Sequence, residues 1–401
     1  MDNTIFILGD GIAAITAIKT IRATDLDSEI YLVGEEKFYP YIRLRLSKGI
    51  FDDLEENNIL IQKKEWYEQN RIHTFIGIKA INVCTSSQEV LLSDGSKFKY
   101  DKLLFANGAS NTKPKIEGIA LEGVYTLRSL KDAFNIKKSL DKSEEIVVIG
   151  GGILGLEMAW GLHKHGKKVI VIELQSRLMP RQLDEKASEI LKNIIQDCGI
   201  EILTNTGVNK IIGNTKVEGI LIDEKMELKC DMVIYSIGIK PNLDLTVNTE
   251  IETLKGILVN NKMETNIKNI YAAGDIAEYD AQVIGLWNIA IAQGKVAGYN
   301  LIGKESIYEK VTPVTLLNAF AISLFSMGTI DESKATKVLI DEDIAAKKYK
   351  KIFIKDNMII GAVVIGDTKK SPLLKSAIEN GIVLDGVDLA NISVEELLDT
   401  F

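Results

Sequence analysis

Short, continuous apolar runs alternate with amphipathic ones along most of this chain, as expected of strands buried on both faces and joined by helices. "TIFIL" (Thr4–Leu8) is such a run. A glycine turn follows it, and from about Ile12 the apolar residues of "IAAITAIKTIRA" recur at helical spacing. "EIYLV" (Glu29–Val33) predicts the next strand, completing a strand–helix–strand unit. The pattern returns in "EIVVIGGGILGLEMAWGLHKHGKKVIVIEL", with a strand over 145–149, a turn, a helix and a strand over 168–173. Two such units predict an α/β fold with two doubly wound, Rossmann-like domains. The polar stretch 108–119 and the stretch "SIGIKPNLDL" (Ser236–Leu245) read as connectors. They imply a discontinuous first domain, 1–110 and 238–308, around a second over 111–237. Beyond residue 309 the pattern changes. "YKKIFIKDNMIIGAVVIG" predicts a hairpin turning at Asp356-Asn357, and "SPLLKSAIENGI" a short helix. Residues 309–401 therefore read as a small α+β domain.

Composition narrows the class. The 401 residues are 46% hydrophobic and 26% charged, ordinary for a water-soluble globular protein. The longest apolar stretches, such as "AFAISLFSMG" (Ala319–Gly328), are too short to span a bilayer. The N-terminus lacks the basic and apolar segments of a secretory leader. Cys84, Cys198 and Cys230 are too few and too scattered for a disulfide framework, so a cytoplasmic location is expected. The net charge of -8 argues against general nucleic-acid binding.

Chemistry enters at the glycine turns. Gly9-Asp10-Gly11-Ile12-Ala13-Ala14 is a GxGxxA: Gly9 for the tight turn, Gly11 for close approach of a pyrophosphate, and Ala14, after Ala13, for packing helix on strand. A helix N-terminus there favours negative charge. The next strand ends near Glu35, the expected acceptor for both ribose hydroxyls; Glu36 and Glu29 are the alternatives, and a solvated loop carboxylate is the plain reading. The second turn, with Gly150, Gly152, Ile153 and Gly155, carries an intact GxGxxG, and Glu173 closes the strand after it. A carboxylate there accepts a hydrogen bond from the 2′-hydroxyl of NADH and repels the 2′-phosphate of NADPH. Arg177 is the counter-signal, since it could pair with that phosphate; a surface role is its plain reading. In "IYAAGDIAEY" (Ile270–Tyr279), Gly274 and Asp275 follow a buried strand, where Asp275 can accept from a polyol such as a flavin ribityl chain and also cap a helix.

These motifs, together with "LLFANGA" (Leu103–Ala109), which holds Ala106 and Gly108, and "IGIKPN", which holds Gly238, occur in an order that resembles the FAD- and NAD(P)-dependent pyridine nucleotide oxidoreductases. The resemblance covers about Ile5 to Gly303 and implies a glutathione-reductase-like fold with FAD and NADH as cofactors. The nearest branch resembles the rubredoxin and ferredoxin reductases and the flavin part of assimilatory nitrite reductases. In that branch a PYxRxxLSK segment, here Pro40 to Lys48, lies beside FAD. The resemblance places Arg43 at the FAD phosphates, Lys48 at the reactive edge of the flavin, and Glu157 as its buried partner facing the nicotinamide. It also places Trp287 near the flavin, with core packing as the equal alternative, and gives Ile153 where some relatives carry an aromatic. Trp66, Trp160, His73, His163 and His165 read as packing or surface residues.

No cysteine occurs before Cys84, whereas disulfide-reducing and many peroxide-reducing relatives carry a redox thiol near the opening segment. With no CxxC and no Cys/His cluster, a metal site is not expected, and the three thiols read as packing. The implied activity is an NADH-dependent reductase passing electrons through FAD to a small acidic electron-transfer protein, rubredoxin or ferredoxin. An NADH oxidase, a stand-alone nitrite reductase flavin module and a dinucleotide sensor are the rival readings. An acidic partner calls for a positive patch: Arg45, Lys48, Lys63 and Lys64, and in the C-terminal domain Lys347, Lys348, Lys350, Lys351, Lys369, Lys370 and Lys375, with that domain expected beside the flavin. The sequence leaves the oligomeric state open.

Overall fold

A computed structural model describes residues 3–52, 54–343 and 345–401. The chain forms two compact units. The first comprises Met1–Thr112, Arg128–Ala133 and Gly238–Lys310; the second comprises Lys113–Leu127, Phe134–Ile237 and Val311–Phe401. The return of 128–133 to the first unit had no counterpart in the hydrophobic pattern. The C-terminal segment groups with the second unit.

In chain order, the first unit opens with β1 (Thr4–Leu8), α1 (Ile12–Arg22), β2 (Glu29–Gly34), β3 (Ile72–Ile76) and β4 (Lys102–Phe105). The second contributes β5 (Val124–Tyr125), β6 (Glu145–Ile149), α2 (Ile153–Lys164), β7 (Lys168–Ile172), α3 (Glu185–Asp197), β8 (Glu201–Leu203) and β9 (Met232–Tyr235). The chain returns for β10 (Ile270–Ala272) and α4 (Trp287–Leu301). It ends with β11 (Val314–Ala319), β12 (Ile322–Gly328), β13 (Lys337–Asp343), β14 (Lys348–Lys355), β15 (Met358–Gly366), α5 (Ser371–Asn380) and α6 (Val394–Leu398).

The first sheet is parallel, in the order β10-β4-β1-β2-β3. Its order reverses between β1 and β4, which opens a crevice at their carboxyl ends. The second sheet is also parallel, β8-β7-β6-β9-β5, and reverses between β6 and β9. Both follow from apolar strands such as Ile5–Leu8 and Ile146–Val148, buried on both faces. Helix α1 lies against α4 because Gly294 and Gly298 present bare backbone; a Cβ on Gly294 would meet Ala13 O at 2.4 Å, and one on Gly298 would meet Ala17 O at 2.7 Å.

The C-terminal sheet is antiparallel, β11-β12-β15-β14-β13, with its core closed by α5 and α6. Asp356 and Asn357 both take positive φ at the expected hairpin tip. Gly381 ends α5 in the left-handed conformation. A second tight turn, between β11 and β12, puts Phe320 and Ala321 at positive φ. It sends the buried Phe320 ring against Trp160 of α2, 5.3 Å between centroids.

Candidate functional site

Each reversal point carries a glycine turn whose three special positions do different jobs. After β1, Gly9 has φ +97°, and a Cβ there would lie 2.3 Å from Ala106 O. After β6, Gly150 has φ +115°, and its Cβ would lie 2.2 Å from Ser236 O. Only glycine fits either place. Gly155 is closed by packing, since its Cβ would meet Gly150 O at 2.0 Å; Ala14 is the fully buried counterpart in α1. Gly11 and Gly152 are the opposite case: a Cβ at either meets nothing within 4 Å. They are the N-caps of α1 and α2, with no side-chain cap and no acid in the first turn. Bare backbone, open space and an uncapped positive helix end suit a pyrophosphate at each turn.

Around the first turn the two adjacent carboxylates take different surroundings. Glu35, the expected ribose acceptor, is 67% exposed and pairs with Lys79 at 3.4 Å. Glu36 is the inward carboxylate. β2 runs to Gly34, one residue further than expected, so Glu35 points outward and Glu36 inward. Glu36 Oε1 accepts from Arg43 Nη2 at 2.6 Å, and Glu36 Oε2 accepts from the Tyr41 hydroxyl at 2.7 Å. Glu29, the other alternative, pairs with His73 at 2.6 Å. The Asp10 carboxyl lies in the same group; burial, opposed by Arg43 and reinforced by Glu36, pushes it up to about 6.

From Arg43 a chain of contacts crosses to the third motif. Arg43 Nη1 donates to Tyr41 Oη at 3.1 Å and to Arg128 O at 2.8 Å, and Tyr41 Oη also accepts from Leu130 N at 2.8 Å. Burial, with Glu36 beside it, pushes the Tyr41 phenol up. Arg128 Nε donates to Ala109 O at 3.0 Å, and its Nη2 to Asp275 Oδ2 at 2.7 Å. Asp275 caps no helix: a two-residue strand follows it, and the N-cap of α4 is Leu286. Gly274 N donates to Gln293 Oε1 at 2.8 Å, tying this motif to α4. Trp287, in the first turn of α4, is half-buried rather than in the core. Arg128 was not foreseen. The available signal was Ser129-x-x-Asp132, a capping pattern in which Ser129 N donates to Asp132 Oδ2 and Asp132 N donates to Ser129 Oγ.

The one-turn helix Leu46–Gly49 buries Leu46 and Ser47 and leaves Lys48 exposed within the first unit. Glu157 is half-buried on α2. Gly108 has φ +60° beside Arg128, while Gly238, at φ +103°, groups with the first unit and accepts from Thr112 N at 2.9 Å. Ile153 opens α2 half-buried.

At the second turn Glu173 stands just beyond β7. Its Oε2 accepts from Gly151 N at 2.7 Å and its Oε1 from Gln175 N at 2.8 Å. Arg177 turns back on its own loop and donates to Pro180 O at 3.3 Å. The C-terminal lysines depart from the expected free patch. Lys350 and Lys351 are 8% and 4% exposed, because β14 is buried along nearly all its length and carboxylates neutralise them. Lys350 pairs with Glu395, Lys351 with Asp184 and Glu332, Lys347 with Asp197, and Lys370 with Glu395 and Asp399.

Comparison with known proteins agrees with this geometry. Residues 3–294 match the family model described as pyridine nucleotide-disulphide oxidoreductase. The chain belongs to that family. Residues 313–382 match a second model, described as the rubredoxin NAD+ reductase C-terminal domain. A relative from Clostridium acetobutylicum, named NADH-rubredoxin oxidoreductase, is 36% identical over 96% of each chain. The crystal structure of NADH:rubredoxin oxidoreductase from that organism covers all of both chains at a TM-score of 0.83 and 34% identity. A Bacillus subtilis nitrite reductase is 33% identical over 93% of this chain, which spans about half of that protein (47%). No helix among the described residues is long and apolar enough to cross a membrane.

Proposed function

We propose that this chain is a cytoplasmic, NADH-dependent FAD reductase that delivers electrons to a small acidic iron protein, rubredoxin before ferredoxin. The observation that carries the reading is the union, in one chain, of two glycine cradles open at Gly11 and Gly152 with a C-terminal segment matching the rubredoxin NAD+ reductase model. In this reading FAD lies on the first unit, held at Gly9 and Gly11, Arg43, Arg128 and Asp275, with Glu36 at the ribose; NADH lies on the second, held at Gly150, Gly152 and Glu173. Bound FAD would accept a hydride from NADH and pass its electrons on singly. Lys48 supplies the fixed positive charge near the flavin's reactive edge, and Glu157 faces the nicotinamide.

Cys84, Cys198 and Cys230 are all free thiols, and a triple Ser variant tests whether any of them takes part. Hydrogen bonds from Ser86 and Ser87 draw the half-exposed Cys84 down to about 7, while burial, with Asp231 nearby, pushes Cys230 up to about 12. Under argon, NADH should bleach the yellow protein, and rubredoxin should restore its colour far faster than oxygen does. The Cys84, Cys198 and Cys230 triple Ser variant should behave alike. Faster reoxidation by oxygen, or loss of turnover in a folded, flavin-loaded triple variant, would defeat the reading.

A further inference from the structure

The loop between β7 and α3 begins with Glu173, the carboxylate proposed to choose the coenzyme, and ends with Asp184. Several bonds make it one rigid piece. Met179 N donates to Gly151 O at 3.1 Å, which fastens the loop to the glycine turn. Met179 is fully buried and holds φ +47°, a conformation that a long side chain adopts only when its surroundings require it. Gln182 N and Leu183 N both donate to Met179 O, at 2.9 and 3.0 Å. Ser188 Oγ of α3 donates to Leu178 O at 2.9 Å.

The far end of this loop is gripped by the C-terminal domain. Asp184 caps α3 with Oδ1, which accepts from Ala187 N at 2.8 Å. Its Oδ2 accepts from Lys351 Nζ at 2.9 Å and from the Tyr349 hydroxyl at 3.2 Å, both on β14. Ser326 Oγ of β12 donates to Gln182 O at 2.6 Å. Lys351 also donates to Glu332 Oε1 at 2.5 Å, so its charge is balanced where it is buried. A hydroxyl, a phenol and an ammonium from one sheet thus converge on two residues, Gln182 and Asp184, of another domain's loop. A general docking surface would not need three directed bonds at one loop end, two of them to a single carboxylate oxygen.

From this we infer that the C-terminal domain is a positioning device for the coenzyme: Ser326, Tyr349 and Lys351 hold Gln182–Asp184, and through Met179 and Gly151 they fix the setting of Glu173 for NADH. This rests on the reading of the second unit as the NADH site. The three act through the loop and do not touch the coenzyme.

The test uses the flavin-loaded full chain carrying Tyr349→Phe, Ser326→Ala or Lys351→Met. Lys370→Met, which breaks the ion pairs with Glu395 and Asp399 in the same domain, is the control. Titration with NAD+, steady-state KM for NADH, and amide exchange at Gly151 and Met179 are measured together. The three loop-holding variants should weaken NAD+ binding and raise KM by about three- to tenfold, with kcat changing less than about twofold. Exchange at Met179 should quicken, Lys351→Arg should restore much of the loss, and Lys370→Met should match the wild type. If Lys351→Met does not fold, Tyr349→Phe and Ser326→Ala decide. Wild-type affinity and exchange in these variants, or an equal loss in Lys370→Met, would overturn the inference. A wild-type chain with intact flavin but no affinity for NAD+ or NADH would instead overturn the NADH-site reading beneath it.

Discussion

Glu173 accepts from two backbone amides and still has lone pairs left, since each carboxylate oxygen carries two. It can therefore hold the loop and receive a ribose hydroxyl together. Glu173→Ala should narrow the NADH-over-NADPH ratio of kcat/KM by roughly 10- to 100-fold, the scale of one charged hydrogen bond lost for NADH and one repulsion removed for NADPH. Equal use of both coenzymes by the wild type would refute that role. Asp10 gives a pH signature. Its folded value, about 6, lies above its ordinary 3.8, so folding binds the proton. The group therefore costs nothing below its ordinary value, costs progressively more as pH rises towards 6, and costs a constant amount above it, at most about 3 kcal/mol. In flavin-free protein, Asp10→Ser should raise stability at pH 7 to 8 and lose that advantage near pH 4, as read by urea unfolding. Residues of this kind mark where sequence reasoning stops. Glu35 and Glu36 are adjacent carboxylates at a strand end, and which one faces inward depends on where the pleat stops. Arg128 meets Asp275 across 147 positions of sequence, and no local pattern encodes that meeting.

Elements were more legible than side-chain partners, because strand burial and helix amphipathicity are written in neighbouring residues. β1, β6 and the Asp356-Asn357 hairpin stand where the apolar runs and turn chemistry put them. The buried lysines of β14 were misread for the same reason: a Lys-Tyr-Lys-Lys string reads as solvated until the carboxylates that neutralise it arrive from other elements. The glycines separate fold from function at this scale. Gly152→Ala adds a methyl that meets no protein atom, so stability should change by no more than about 1 kcal/mol, the cost of a poorer N-cap, while KM for NADH rises tenfold or more. Gly294→Ala drives a methyl into the Ala13 backbone, so thermal stability and flavin retention should fall together. An unchanged KM in Gly152→Ala would mean that the open space serves something other than the coenzyme.

For the whole molecule, net charge of -8 opposes an acidic partner, and the structure removes Lys350 and Lys351 from the candidates that could offset it. Among the candidates that remain exposed, Arg45 and Lys63 lie near the opening segment, and Lys348 and Lys369 in the C-terminal domain. Arg45→Glu with Lys63→Glu should lower kcat/KM for rubredoxin several-fold at low salt and flatten its ionic-strength dependence, leaving ferricyanide reduction unchanged. Unchanged rubredoxin kinetics would move the docking face elsewhere. The interleaved path of the chain has a further consequence, in the order of events during synthesis. β4 has β1 on one side, but its other neighbour, β10, lies beyond the whole of the inserted segment. Such an insertion adds little to the equilibrium cost of closing the fold, since each doubling of loop length costs only about 0.6 kcal/mol, but it imposes a wait. While the ribosome is still upstream of Ile270, the N-terminal strands lack an edge, and Gly274, Asp275 and α4 do not yet exist. Chains stalled before that point should have a protease-sensitive N-terminal segment, and resistance there would contradict this order. Flavin binding then comes late in synthesis, after the second parallel sheet has been made but before the C-terminal domain that holds its loop has emerged.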